Sequence, residues 1–278
     1  MPFLPTAVLS RHLLFFTICA LSLLPFWAPF KSLLKLSLAD DRYSHLVFIP
    51  FISAAVGFID RERIFREARY CPWIGAPALL LFAVGAVFSS LSVSIAALVG
   101  VWIAAFVLCY GPRSLKAAGF PILFLLLAIP IPVGIVERIS ATLQAGSTEI
   151  AHGLFKLLGI PVFRQGFAFA LPGVNIEVAE ECSGIRSSIA LIITGILAGH
   201  VFLRSRWTKV CLVVFSAFVA VFKNAVRIVF LSAMTAYSNQ DFLNSRLHHQ
   251  YGGMAFSCFA LAMVIPFIYL LRKSEGRT

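Results

Sequence analysis

Three short stretches hold the side chains able to do covalent or proton-transfer chemistry in a chain otherwise built largely of hydrocarbon. The first is EECSGIRSS, Glu180 to Ser188, which places the thiol of Cys182 directly before Ser183 and Gly184 and just ahead of a helix expected to begin near Arg186. Helix N-termini and neighbouring cations both stabilise a thiolate. Gly184 allows a close backbone approach to a ligand, and the unpaired N–H groups of a first helical turn can face a developing oxyanion. A plainer reading stands beside this one: Ser183 caps the helix and the thiol is incidental.

The second stretch, FKNAVRIVF, sets Lys223, Asn224 and Arg227 inside an apolar helical run. Cations within a membrane are costly and mark a function or a buried pair. Asn224 and Arg227, three residues apart, share a helix face. Counting from Lys209 to Arg227 at 1.5 Å per residue gives roughly 27 Å, which brings Arg227 to the face opposite Lys209 and to the level expected for Cys182. Snorkelling of Arg227 to headgroups, or pairing with Glu180 or Glu181, is the alternative. The third stretch, LHHQYGGMAF, puts His248 and His249 ahead of Gly252 and Gly253, and histidine is the side chain best suited to exchange protons near neutral pH.

The elements that must carry these residues follow from composition. Of 278 residues, 60% are hydrophobic and 13% charged, and the mean hydropathy is +0.92, beyond the roughly 45–50% apolar share of soluble domains. An all-α polytopic membrane protein is therefore expected. Runs of about 20 apolar residues, the length that crosses a bilayer core, predict about eight spans: 12–30, 44–59, 73–91, 93–110, 117–136, 187–203, 210–237 and 252–271. The second run is short, and the third and fourth are closely joined. The N-terminal run contains Pro25 and Pro29 and lacks a small-residue cleavage pattern, so a retained helix is expected.

The net charge of +11 is concentrated in loops: Arg61, Arg63, Arg66 and Arg69; Arg113 and Lys116; Arg204, Arg206 and Lys209; and Arg272, Lys273 and Arg277. With eight spans these fall on one side with Arg11, which the positive-inside rule makes cytoplasmic, together with both termini. No aromatic interleaving or folded basic domain supports a nucleic-acid partner. Residues 31–43, 137–186 and 238–251 then face outward. Within them, Ile139, Leu143, Ile150, Leu154, Leu157 and Leu158 suggest an amphipathic helix at the interface, and the short apolar runs around Pro172-Gly173 a small external hairpin leading to Cys182. Cys19, Cys109, Cys211 and Cys258 lie in or near apolar runs and are expected to pack, whereas Cys71 lies beside a cytoplasmic loop, open to palmitoylation. The cysteines have no metal-ligand spacing, and neither metal nor cofactor is suggested. No repeat or linker divides residues 1–278, so one membrane domain is expected.

ECSGIRSS, NAVRI and His248 followed by Gly252 and Phe256 resemble, in order, the three signature blocks of the exosortase/archaeosortase family, and IPIP at 129–132 and LLGIPVFRQG look like that family's approach to its cysteine. The resemblance covers roughly residues 117–260; residues 1–116 share only its multi-span character. It implies a membrane-embedded cysteine transpeptidase-like enzyme acting on exported proteins with a C-terminal tripartite signal: a short motif such as Pro-Glu-Pro, a transmembrane helix and a basic tail. It further implies Cys182 as nucleophile, Arg227 as the stabilising cation and His248 as acid/base; the reading of the residues themselves adds Ser183, Gly184, Arg186 and Asn224 as supporting groups. The family commonly has a different polar residue where His249 stands, and His249 also has a glycine four residues on, so it remains the alternative to His248.

In that chemistry the Cys182 thiolate attacks a peptide carbonyl just outside the substrate's membrane helix, His248 protonates the departing amine, and an acceptor or water resolves the thioester. A polysaccharide or lipid-linked acceptor and the surrounding membrane lipid complete the expected partners. Glu180 and Glu181 either pair with Arg186 or Arg227 or repel acidic substrates. Two other classes stay open: a transporter in which Arg227 and Lys223 bind an anion, and a non-enzymatic assembly protein of polysaccharide export. A transporter would carry polar residues through the bundle; here they gather toward one face, and no inverted halves are discernible.

Overall fold

The computed structural model describes residues 6–83, 85, 90–172, 174–178, 184–237 and 252–276. Eleven α-helices are formed among these: α1 (Thr6–Ser22), α2 (Trp27–Ala39), α3 (Ile49–Ile59), α4 (Arg61–Phe65), α5 (Pro72–Ala83), α6 (Leu91–Ala117), α7 (Gly119–Leu125), α8 (Val133–Leu157), α9 (Ile185–Phe202), α10 (Arg206–Tyr237) and α11 (Gly252–Glu275). Between α8 and α9 runs a three-stranded antiparallel meander, β1 (Phe163–Gln165), β2 (Ala168–Leu171) and β3 (Val174–Glu177). The chain divides into two compact units, 1–132 and 133–278.

Four helices, α6, α9, α10 and α11, are long and apolar enough to cross a bilayer, or up to six spans result if each of two broken helix pairs counts as one. Each of the eight expected runs does contain helix. The smaller count has local causes. The run expected over 12–30 bends by 80° between α1 and α2, at the turn containing Pro25. Helix α3 has 11 residues, about 17 Å at 1.5 Å each, short of the roughly 30 Å hydrocarbon core.

In the first unit α6 is the central helix, with Ile95, Leu98, Val101, Ala105, Cys109 and Tyr110 buried. Its apolar stretch ends at Gly111, whose φ of +84° kinks the helix ahead of Pro112. The kink lets the segment after α4 lie alongside, so that the Arg69 amide donates to the Tyr110 carbonyl at 3.0 Å and that of Cys71 to Leu108 at 2.9 Å. Rings of Phe15, Phe65, Phe106 and Tyr110 pack at this end, and His12 Nδ1 meets the Tyr110 hydroxyl at 2.6 Å. Of the cysteines expected to pack, Cys109 is fully buried and Cys19 half-buried, whereas Cys211 and Cys258 are exposed on apolar helix surfaces. A thiol behaves as a small hydrophobe, so a lipid-facing position suits it as well as a packed one.

The second unit carries the candidate chemistry. Its helices α9 and α10 are antiparallel and touch through small residues: a Cβ at Gly195 would lie 2.5 Å from Ser216 Oγ, and one at Gly199 would lie 3.7 Å from Leu212 Cδ2 and from Lys209 Cα. Lipid gives no hydrophobic drive between helices, so close backbone approach at such residues, with its dispersion contacts, holds the pair together. Helix α11 packs on α10 through stacked Phe215 and Phe267, 4.0 Å apart, and through Phe230 and Phe256.

Helix α8 covers the stretch expected to form an amphipathic helix, and its aliphatic residues are largely not its buried ones. Its buried residues are Val136, Ser140, Ser147, Thr148, Ala151 and Phe155, while Ile139, Leu157 and the following Leu158 are exposed and Leu143, Ile150 and Leu154 half-buried. In an apolar solvent the large aliphatic side chains face outward and the small and hydroxyl-bearing ones pack. The expected hairpin around Pro172-Gly173 is present as β2 and β3, with Leu171 opposite Val174, and β1 adds a third strand. Phe169, Leu171 and Val178 of the meander bury themselves against Ala151 and Phe155 of α8 and Ala225, Ile228 and Val229 of α10. An ion pair from Arg164 to Glu149, 2.8 Å, fastens β1 to α8.

Candidate active site

The site is built where α9 begins. Gly184 occupies its N-cap position with φ +69° and ψ +17°, in the left-handed region, and among the described residues no side chain caps the first turn. A residue with a Cβ pays about 1–2 kcal/mol for that conformation, which glycine avoids. The chain needs the conformation because α10 stands against it: a Cβ on Gly184 would lie 2.8 Å from Asn224 Oδ1 and 2.9 Å from its Cγ. The close neighbour that Gly184 admits is therefore a side chain of the protein itself. Asn224 is 1% exposed.

One position before Asn224, the ammonium of Lys223 is also buried, at 4% exposure, and donates to Ser187 Oγ at 2.5 Å. The Ser187 hydroxyl in turn donates to the Gly184 carbonyl at 3.0 Å. The two signature stretches of the sequence, separated by about forty residues, are thus joined by a steric contact and by a hydrogen-bonded chain. Ser187 carried no signal in the sequence, because a serine in a first helical turn commonly bonds the carbonyl three residues back.

Arg227 lies one helical turn beyond Lys223 on α10 and is half-buried. Since α9 and α10 run antiparallel, with Gly195 against Ser216 and Gly184 against Asn224, that turn carries Arg227 about 5 Å past the start of α9, on the side from which the chain arrives. Arg186, in the first turn of α9, is exposed. Among the described residues the ion pairs join Arg42 to Asp40, Arg63 to Asp60, Arg113 to Glu67 and Arg164 to Glu149; neither Lys223 nor Arg227 meets a described carboxylate.

Glu180, Glu181, Cys182, Ser183, His248 and His249 lie outside the described residues. What flanks them is defined. Upstream, the Val178 amide donates to the Phe167 carbonyl at 3.0 Å, and the Val178 carbonyl accepts from Gln144 Nε2 of α8 at 2.6 Å. Downstream, Gly184 is held as above. The five residues 179–183 therefore span two fixed ends. Gln144, like Ser187, was missed in the sequence, since nothing local connects α8 to the end of β3. On the remaining side, Phe256 in the first turns of α11 contacts Phe230, one turn beyond Arg227, with ring centroids 6.0 Å apart. The start of α9, the Arg227 turn of α10 and the first turns of α11 thus meet at one end of this unit.

A model of the transmembrane exosortases matches residues 35–268, most of the chain and all of these elements except the last turns of α11. No curated protein and no solved structure matches the chain significantly.

Proposed function

The chain belongs to the transmembrane exosortase family, a multi-pass membrane protein of cysteine-transpeptidase type, and we propose that it cleaves the C-terminal sorting signal of exported proteins at a site built around Cys182, Arg227 and His248. The observation that supports this most is the direct contact of Gly184, two residues after Cys182 in the sequence, with Asn224, three residues before Arg227 on α10. A thiol three residues before the first residue of α9, with a guanidinium one turn past that start, has what acyl transfer requires: a stabilised thiolate and a cation for the tetrahedral oxyanion.

In the proposed reaction the thiolate of Cys182 attacks the carbonyl of a peptide bond just outside the substrate's membrane helix. Arg227, with first-turn amides, holds the oxyanion. His248, or His249 in its place, protonates the leaving amine, so the substrate's helix and basic tail depart while its exported portion remains as a thioester on Cys182. An amine or hydroxyl of a polysaccharide or lipid-linked acceptor then takes the acyl group, water being the hydrolytic default. The site faces the exterior of the cytoplasmic membrane, where the charge distribution of the loops and the position of Arg227 along α10 would set it. A substrate helix standing beside the spans presents its outer end at that depth, so the bilayer supplies part of the orientation.

The test is processing of a co-expressed exported reporter ending in Pro-Glu-Pro, a transmembrane helix and a basic tail. Cys182→Ala and Cys182→Ser abolish cleavage, and Cys211→Ala, on the exposed face of α10, retains it. Cleavage by the Cys182 variants would refute the enzymatic reading.

A further inference from the structure

Neither a membrane span nor the proposed reaction accounts for Lys223. Its ammonium is buried in the apolar body of α10, it shares a face with like-charged Arg227 four residues on, and its described hydrogen bond goes to Ser187 in the first turn of α9, the positive end of that helix. Each circumstance disfavours a cation. A methionine or leucine would cross the membrane at less cost, so the ammonium does something that those side chains would not.

What it does is defined by its partner. Ser187 bonding the Gly184 carbonyl is local and ordinary; the bond from Lys223, 36 residues away, is not. With its hydrogen committed to the Gly184 carbonyl, the Ser187 oxygen offers a lone pair to the ammonium, and two bonds in series polarise each other. The carbonyl at the end of the series belongs to the residue with most backbone freedom in the segment that carries the thiol. Cys182 is only two peptide units from it, no more than about 7.6 Å from Cα to Cα. The Gly184 carbonyl also accepts from the Ser188 amide at 2.9 Å, the first bond of α9, and the Ser187 hydroxyl adds a second restraint; productive geometry at a reacting centre is held within about 0.5 Å.

We propose that Lys223 and Ser187 are positioning residues, a relay in which α10 grips the Gly184 carbonyl through the Ser187 hydroxyl and so fixes the turn that presents Cys182. Asn224 blocks the turn sterically from the same helix, and Gln144 secures the upstream end of the segment through the Val178 carbonyl. Neither Lys223 nor Ser187 touches substrate. The inference rests on the reading of Cys182 as the nucleophile.

The probe is iodoacetamide, applied to the purified full-length protein in detergent at fixed pH, with alkylation of each cysteine followed by peptide mass. Lys223→Met and Ser187→Ala should each slow alkylation of Cys182 about tenfold, less than the hundredfold that a 1 Å misplacement can cost a reaction. Alkylation of Cys211 and Cys258, exposed on α10 and α11, should be unchanged and so report an intact fold. Ser187→Thr, which keeps the hydroxyl, should restore the Cys182 rate to within about threefold, and the double variant should be no slower than the slower single one, as for groups acting in series. Should Lys223→Met fail to fold, Ser187→Ala, a change of one oxygen atom, decides alone. Cys182 rates within about twofold of the parent in the folded variants, or effects that multiply in the double variant, overturn the relay. The reporter assay separates the two readings: cleavage by Cys182→Ala would remove the nucleophile whatever the alkylation rates, whereas unaltered alkylation beside an inactive Cys182→Ala would remove the relay alone.

Discussion

At the scale of single residues, Gly184 bears the most constraint for its size. Its left-handed φ and the Asn224 side chain against its α-carbon act together, so Gly184→Ala combines about 1–2 kcal/mol of backbone strain with a contact that forces Asn224 or the turn to move. We expect that variant to lose reporter processing and to unfold at lower temperature in detergent. Restoring space with Gly184→Ala/Asn224→Ala should recover part of the thermal stability, because the steric component is removed while the strain stays. Absence of any recovery would show that strain alone dominates. The sequence made this residue legible as a glycine needing freedom, but suggested a ligand as its neighbour; that the neighbour is Asn224 depended on the packing of α9 against α10. The N-cap position falls on Gly184, and Ser183, the cap that the sequence suggested, lies outside the described residues. Ser187 and Gln144 were invisible for a related reason: each acts on a backbone carbonyl, and no side-chain pattern records that.

At the scale of elements, the seam between α9 and α10 sets the level at which Gly184 meets Asn224. Gly195 approaches Ser216 so closely that a Cβ would lie 3.1 Å from Ser216 Cβ as well as against its oxygen. Gly195→Leu should wedge the helices apart and cut reporter processing strongly from a position three turns away from the site, whereas Gly195→Ala should be milder because the Ser216 hydroxyl can rotate aside. Equal loss in both would contradict a steric seam. The far end of the same pair is tied to α11: the Glu275 carboxylate accepts from the amides of Arg204 and Ser205, at 3.0 and 2.8 Å, and from the Thr208 hydroxyl. Glu275→Ala should lower the melting temperature in detergent with reporter processing largely kept, since the clamp stands at the opposite end of α10 from Arg227. Periodicity and length located α9, α10 and α11 in the sequence within a few residues. They anticipated α8 as an amphipathic helix, whose aliphatic Ile139 and Leu157 stand exposed, but they did not foresee β1, three residues with no alternation long enough to register.

At the scale of the whole molecule, apolar side chains remain exposed on the helices, among them Ile265, Tyr269 and Leu270 of α11 and Val210, Val214 and Phe218 of α10. A surface of this kind needs an apolar surrounding such as a bilayer or a detergent micelle. The family match runs through both compact units, from residue 35 in α2 to residue 268 in α11. Loop charge, which the fold does not test, sets the proposed orientation, and a charged thiol reagent added to intact cells tests it: Cys182 should be labelled from outside and Cys71, beside the arginines at 61–69, spared. The reverse pattern would invert the proposed topology and move the reaction to the cytoplasmic side.

The central step of the proposed reaction is a covalent intermediate at Cys182, and trapping it is the most direct measurement. With the leaving-group step preserved and acceptors depleted, the purified protein incubated with the tripartite reporter should carry the reporter's exported portion as a hydroxylamine-labile adduct whose mass maps to the Cys182 peptide. Cleaved reporter accumulating with no such adduct, or an adduct mapping to another residue, would contradict it.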